Sequence, residues 1–497
     1  MNPQIIQMKK IPVIQALLPV ITLLVCVVTA LIVKGSGFVA DYSYAMLLGA
    51  AAVALAIGMG RRCSRKELAD GLRTAARQTL PAVPILLLIG TVSATWMLSG
   101  VVPILISAGL QYINPPLFLL TACCVCALIS LLTGSSWTTI ATIGVAFIGI
   151  GTLLGFSPAW SAGAIISGAY FGDKISPLSD TTVLAASSSK VNLFVHIRYM
   201  LITTIPSLII ALAVFTIAGI LMPLSAASTH TSMTAALADT FNLNPWLFVI
   251  PACTVTLILL RVNTLFTLGI SSLLGLIGIF IFQPQIIAEI GGGDLLHQLA
   301  AGAHILLTDT AVATGDAALD ELVATGGMLG MLPTIWLILS AMVFGGIMMG
   351  TGLLRRITEA FTSVLRNRIS AVGATAASGL FLNAATADQY LSIIIGGNMY
   401  RDLYHRLGLE GRLLSRTLED SVSVTSVLIP WNSCGVTQSA VLGVATLSYL
   451  PYCIFNYLSP FMSLLIAISG FRIISRPAAA SAADEAPGLE CPAQLTD

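Results

Sequence analysis

Residues 172–182, Gly-Asp-Lys-Ile-Ser-Pro-Leu-Ser-Asp-Thr-Thr, lie between two long apolar runs, 140–171 and 191–222. This stretch carries two carboxylates (Asp173, Asp180), one ammonium (Lys174) and four hydroxyls (Ser176, Ser179, Thr181, Thr182). A charged side chain at bilayer depth costs about 2.5–3.5 kcal/mol on insertion scales. Such charges must pair, face a wet cavity or hold a solute. Pro177 removes a backbone donor and ends a helix, and freed backbone is tolerated at that depth only against protein or a water-filled cavity. The stretch reads as the unwound middle of a broken helix, aimed at a transported solute. The alternative is a buried ion pair with hydroxyl caps joining two half-helices.

Apolar runs near 20 residues recur along the chain, and only 9% of its 497 residues are charged, against about 25% in soluble proteins. The fold class expected is an all-α polytopic membrane protein. Candidate spans are 11–33, 43–59, 79–99, 158–190 (interrupted), 195–222, 245–260, 263–283, 328–352, 417–444 (interrupted) and 446–471. Residues 11–33 follow Lys9 and Lys10 but are long and at once succeeded by further spans, so they read as a retained helix rather than a signal peptide. Two hairpins are expected to re-enter the membrane: 115–156, turning at Thr133–Thr139, and 370–400, turning at Asn383–Gln389. Residues 284–327 read as a long loop. The nine cysteines form no metal or disulfide framework; Cys123, Cys124 and Cys126 sit in one apolar run as small hydrophobes. No basic or acidic tract points to nucleic acid, and no nucleophile–base pair or nucleotide loop points to an enzyme.

The interruptions suggest an internal repeat. Asp173-x-x-Ser176-x-x-Ser179 recurs as Asp420-x-x-Ser423-x-x-Ser426, 247 residues later, and Ser135 and Asn383 are 248 apart. With a cytoplasmic N-terminus and five crossings plus one hairpin per half, 21 of the 23 Lys and Arg fall on the cytoplasmic side, as the positive-inside rule requires. Five crossings also force the second repeat to enter upside down, with broken helices meeting at the midplane. The expected organisation is a first repeat at 1–222, a connector at 223–243, a second repeat at 244–472 and a disordered cytoplasmic tail at 473–497.

Five acids lie at predicted membrane depth: Asp173, Asp180, Asp388, Glu419 and Asp420. All sit at interruptions. Removal from water favours a neutral carboxyl, whereas an adjacent cation favours the ionised form. A carboxylate under both influences can exchange a proton for a sodium ion. Asp173, Asp180, Asp388 and Asp420 are therefore the candidate sodium ligands. Oxygens suited to a hard cation come from Ser135, Ser136, Thr138, Ser176, Thr181, Thr386 and Thr425, with amide oxygens from Asn383 and Asn432. Lys174 could instead hold a solute carboxylate. Asp180, with no basic neighbour until Lys190, is the expected proton carrier, while Lys174 is expected to keep Asp173 ionised. Glu419 reads as a surface ion pair with Arg416, and His196 and Arg198 read as interfacial. Trp137 and Trp431 read as packing or lid residues.

The motifs Thr133-Gly-Ser-Ser-Trp-Thr-Thr139, Gly163–Thr182 and His196-Ile-Arg198 resemble the NhaC-type sodium/proton antiporter family. In the second half, Ala387-Asp-Gln-Tyr390, Leu418-Glu-Asp-Ser421 and Ile429-Pro-Trp-Asn432 resemble it too. The resemblance implies a secondary antiporter of the bacterial inner membrane, with inverted repeats, paired hairpins and a homodimeric assembly. Its partners would be the lipid bilayer, sodium and protons. Because relatives of this kind include exchangers of malate for lactate and carriers of amino acids, the alternative is a sodium- or proton-coupled exchanger of a small organic anion or amino acid. No cofactor is implied.

Overall fold

The computed structural model describes residues 11–61, 63–222, 235–292, 294–315, 319–320, 323–363 and 365–473. Most of the expected connector and nearly all of the expected tail lie outside the described residues. Among the described residues the only β-type pairing is a bridge between Thr310 and Thr325. Nine described helices are long and apolar enough to cross a membrane, and ten if the bent pair Thr446–Tyr452 and Ile454–Ser469 forms one span. The chain is an all-α, multi-pass membrane protein.

The first half runs through α1 (Val13–Lys34), α2 (Ser36–Gly60), α3 (Arg65–Thr79), α4 (Ala82–Leu98), α5 (Val101–Tyr112) and α6 (Phe118–Thr133). It continues with α7 (Ser136–Thr139), a π turn (Ile140–Gly144), α8 (Val145–Leu153), α9 (Pro158–Ile175), α10 (Asp180–Ser188) and α11 (Leu193–Leu221). The second half opens with α12 (Val249–Leu259), α13 (Thr264–Phe282), α14 (Pro284–Gly291), α15 (Leu295–Leu307), α16 (Leu332–Gly350) and α17 (Leu353–Thr362). Then come α18 (Arg368–Thr386), α19 (Gln389–Arg406), α20 (Gly411–Leu418), a second π turn (Glu419–Ser423), α21 (Ser433–Leu442), α22 (Thr446–Tyr449) and α23 (Ile454–Ser469).

Every expected span has its helix, but hydropathy missed others. The 284–327 segment holds α14 and α15, too short to register as spans. Helix α3 is polar on one side and starts at a capping box, in which Ser64 and Glu67 satisfy each other's backbone donors. Both arms of the first hairpin, Pro115–Thr133 and Ser136–Leu153, have the length and apolarity of a crossing.

Small residues set the closest helix pairs, since apolar side chains gain little from leaving lipid and backbones must approach. Helix α6 lies on the Gly168/Gly172 face of α9. A Cβ at Gly168 would stand 2.1 Å from the Cys123 carbonyl oxygen, and one at Gly172 would stand 2.2 Å from that of Ala127. Likewise Gly71 of α3 faces Gly346 and Gly350 of α16.

The halves match each other, at a spacing the acids did not reveal. Helix α9 starts at Pro158 and α20 at Gly411; α8 ends at Leu153 and α19 at Arg406; α11 starts at Leu193 and α22 at Thr446. Each pair is 253 residues apart. So are the helix N-caps Ser179 and Asn432, the N-caps Ser135 and Asp388, the left-handed residues Gly134 and Ala387, and Pro177 and Pro430. The 247–248 spacing read from the acids is therefore not the one the elements follow. Packing repeats under exchange as well: α2 on α16 as α13 on α4, α3 on α16 as α15 on α4, and α9 on α23 as α20 on α11.

Candidate functional site

Both hairpin tips are built the same way. At the first, Gly134 adopts a left-handed conformation (φ 69°) and ends α6, and the Ser135 hydroxyl accepts from the Thr138 amide at 3.2 Å to start α7. At the second, Ala387 takes the left-handed role (φ 58°), and Asp388 accepts from the Leu391 amide at 2.9 Å. Thr133 and Thr386 brace their tips through the amides of Ser135 and Asp388.

Each tip reaches a broken helix. Between α9 and α10, Ser176 to Ser179 is unwound. The Ser179 hydroxyl caps α10, and the Thr182 hydroxyl donates to the Lys174 carbonyl at 2.9 Å across the break. Between α20 and α21 the helix widens into a π turn and then opens. Its freed carbonyls are taken by side chains from other helices: Asn383 donates to Val422 (2.7 Å), Asn456 to Val424 (2.8 Å) and Tyr449 to Val427 (2.9 Å). That is the satisfaction that irregular backbone needs away from water.

A cavity of about 640 Å³ opens on the first tip and first break. Ser135, Thr138, Asp173, Asp180 and Thr181 line it, together with Gln389 and Tyr390 of the second hairpin and Arg261 and Asn263 of the α12–α13 connection. Its deepest acid is Asp173, whose Oδ2 accepts from the Ser136 hydroxyl at 2.6 Å and the Ser136 amide at 3.1 Å. Asp180, the first residue of α10, is exposed to this cavity. Behind Asp173 lies a small cavity of about 10 Å³, walled by Tyr170, Asp173, Lys174, Thr181, Gln389, Glu419, Ser423 and Val424. Asp173, Thr181 and Gln389 border both spaces. A larger cavity, about 840 Å³ between α2, α16 and α21, has no charged residue in its wall and touches the second break only at Pro430.

Several expectations change. Lys174 does not accompany Asp173: its ammonium pairs with Asp420, whose Oδ1 also accepts from Thr203 at 3.1 Å while Arg416 stands 3.9 Å from Oδ2. Asp420 is thus committed inside the protein and is not open to a solute. Asp388 is likewise spent on the α19 cap and on the Ser433 hydroxyl at 3.3 Å. Asn383, Thr425 and Asn432 tie the second tip to the second break, Thr386 bonds only within the second hairpin, to Asp388 and Ser392, and none of the four lines the cavity. Ser176 is buried at the end of α9, where its hydroxyl accepts from Leu178 at 3.3 Å. Among the described residues no three His, Cys, Asp or Glu side chains gather closely enough to hold a metal ion, so the four acids do not form one ligand set. Glu419 is no surface residue: it is fully buried, and Arg416, equally buried, turns to Asp420 and the Tyr199 ring. His196 is buried against Ser415 at 2.8 Å. Trp137 faces the cavity, whereas the Trp431 indole donates to the Ala384 carbonyl.

Gln389, Tyr390, Arg261, Tyr170 and Ser423 join the site without having been expected. Gln389 and Tyr390 follow Asp388 in a motif already marked, and the rule that a tip's first helical residue faces the break would have found Gln389. In the sequence Arg261 counts only as one of the 21 Lys and Arg expected on the cytoplasmic side.

A sequence profile described as the Na+/H+ antiporter family matches residues 168–471. The chain is 35% identical over 421 residues to the Na(+)/H(+) antiporter NhaC of Alkalihalophilus pseudofirmus, covering 85% of this chain and 89% of that protein. It is 33% identical over 420 residues to the malate-2H(+)/Na(+)-lactate antiporter of Bacillus subtilis, covering 84% and 87%. It is also 33% identical over 468 residues to the arginine/ornithine antiporter ArcD of Halobacterium salinarum, covering 92% of each.

Proposed function

Because this chain belongs to the Na+/H+ antiporter family, we propose that it exchanges sodium for protons across a bacterial inner membrane, with Asp173 as the exchanging carboxylate. The observation that carries this reading is the position of Asp173, in the wall of a large cavity and of a small one behind it, with Ser136 donating to one oxygen. Sodium arriving at Asp173 displaces its proton, and the hydroxyls of Ser135, Thr138 and Thr181 supply neutral oxygens nearby. Asp180, at the exposed side of the cavity, draws cations inward instead of carrying the proton. Reprotonation of Asp173 then releases the sodium on the other side.

The supporting architecture is two inverted repeats, 1–222 and 244–472, with both termini cytoplasmic and two copies in the assembly. The matched spacing and exchanged packing support a twofold relation between repeats, and the placement of Lys and Arg favours inversion. Cysteine accessibility at positions 34 and 190 checks the orientation, since they should label from opposite faces.

A second reading, exchange of a small organic anion or amino acid coupled to sodium or protons, is favoured by two features. A space of about 640 Å³ is large for a bare ion but ordinary for an organic solute. Arg261 also brings a cation to its wall. One proteoliposome assay separates the readings. Sodium-driven proton flux without any organic solute supports the first. Flux that requires malate, lactate, arginine or ornithine replaces it with the second.

A further inference from the structure

The small space behind Asp173 is lined by a group that the exchange at Asp173 does not use. Glu419 is fully buried, and neither of its carboxylate oxygens has a hydrogen-bond partner among the described residues. The hydroxyls of Ser423 and Tyr170, walls of the same space, are unpartnered too. Buried polar groups are normally satisfied, and an uncompensated buried carboxylate costs several kcal/mol. The neighbouring cations are already taken, Lys174 by Asp420 and Arg416 by Asp420 and the Tyr199 ring. Four unsatisfied oxygens therefore surround a space of about 10 Å³, the room that one water-sized body needs.

We propose that this chamber is a second binding position for one dehydrated monovalent cation of sodium's size, held by Glu419 with the Ser423 and Tyr170 hydroxyls. The identification of that cation with the transported sodium rests on the antiport reading.

The donor set is all oxygen, as a hard cation prefers. A divalent ion is disfavoured because calcium takes six to eight oxygens and magnesium keeps several waters, for which the space has no room. Charge also fits a single positive unit. The groups facing the chamber are Asp173 and Lys174 from α9, and Glu419 from the second π turn, with Asp420 and Arg416 just outside. Lys174, Arg416, Asp420, Asp173 and Glu419 together leave one negative charge uncompensated when all are ionised.

Local structure explains how Glu419 comes to face inward. The π turn spans Glu419–Ser423, so its extra residue per turn sends Asp420 towards Lys174 while Glu419 and Ser423 share the chamber. π turns often accompany functional sites for this reason. Because Asp173, Thr181 and Gln389 border both spaces, an ion at Asp173 can step to Glu419 without crossing lipid.

The test is equilibrium binding of radioactive sodium to purified protein in nanodiscs, with no organic solute present and choline as the balancing cation. Wild type is expected to bind sodium, and lithium is expected to compete. Glu419→Gln, which keeps the shape and one oxygen, should weaken binding at least tenfold; Ser423→Ala and Tyr170→Phe should each weaken it about threefold to tenfold. Melting in choline identifies any variant that fails to fold, and the two hydroxyl variants carry the test if Glu419→Gln does. Unchanged affinity in all properly folded variants overturns the proposal, as does absence of sodium binding by wild type. Sodium binding that depends on Glu419 without any sodium-driven proton flux would retain the chamber and reject the antiport reading. Flux with no dependence of binding on Glu419 would do the reverse.

Discussion

The buried pair of Lys174 and Asp420 gives the sharpest test of the packing logic. Both side chains are buried, and they join the end of α9 to the second π turn. Breaking a buried ion pair by removing one partner costs about 3–5 kcal/mol, because the survivor is left uncompensated in a medium of low dielectric. The structure ranks the two removals. In Lys174→Met, Asp420 keeps the Thr203 hydroxyl at 3.1 Å and Arg416 at 3.9 Å, so the loss should fall near the lower bound, about 3 kcal/mol. In Asp420→Asn, two buried cations lose their shared acid, so the loss should approach about 5 kcal/mol. The double variant should be less unstable than the two single losses added together, with a coupling of about 0.5–3 kcal/mol. Cys123, Cys126, Cys434 and Cys453 are buried free thiols, so their thermal exposure to a thiol-reactive dye reports unfolding in detergent at one fixed scan rate. Two single variants both within about 0.5 kcal/mol of wild type, the range of surface substitutions, would refute the pair's structural role.

Three further outcomes are expected. Asp173→Asn should abolish sodium-driven proton flux in proteoliposomes, whereas Ser136→Ala, losing one charge-assisted hydrogen bond worth about 1.5–3 kcal/mol, should raise the half-saturating sodium concentration about tenfold or more. Gly168→Ala should destabilise by about 1–3 kcal/mol through overpacking against the Cys123 carbonyl, while Gly269→Ala, with nothing within 4 Å of the new methyl, should leave melting unchanged. In the 284–327 segment, the Thr314 amide (2.6 Å) and hydroxyl (2.8 Å) donate to Asp320 and hold its carboxyl below the usual carboxylate range. That local stabilisation is complete above the unfolded value near about pH 3.9 and is lost as pH falls through the folded value, so hydrogen exchange at Thr314 should quicken only below about pH 4, and Asp320→Ala should remove the pH dependence.

What could be read from the sequence follows from what each feature costs. Apolar length is obligatory in a bilayer, so the crossing helices were legible, and so were both tips and both breaks. Helices paid for by packing, not by lipid, were not legible: α3 and α15 carry no unbroken apolar run. The site was half legible. Asp173, Ser135 and Thr181 line one cavity and Ser136 bonds Asp173, but the pairing of Lys174 with its neighbour Asp173 was inferred from adjacency. Adjacent residues on a helix point about 100° apart, so an ammonium next to a carboxylate in sequence more readily serves another element. Glu419 was misread for the converse reason. A partner three residues away satisfies a regular α-helix, and the π turn changes that geometry.

The correct repeat spacing explains why the acids gave the wrong one. At 253 residues, Ser136 corresponds to Gln389 and Asp173 to Ser426, and the contact is kept: Ser136 donates to Asp173 at 2.6 Å, and Ser426 donates to Gln389 at 3.1 Å. Ser130 corresponds to Asn383 and Ala169 to Val422, and there too the side chain of one donates to the carbonyl of the other, at 2.6 and 2.7 Å. The backbone scaffold of tips and breaks is thus repeated, while the charges are not. Asp173 faces a serine in the other half, Asp420 corresponds to Ser167 and Glu419 to Ile166. A symmetric scaffold supplies two sets of broken-helix dipoles, and lone acids at both would leave two costly sites. Asp173 lies beside one break and Glu419 in the other, and Gln389 borders both of the cavities they line, so the exchange and the second cation position proposed above would draw on residues of both halves.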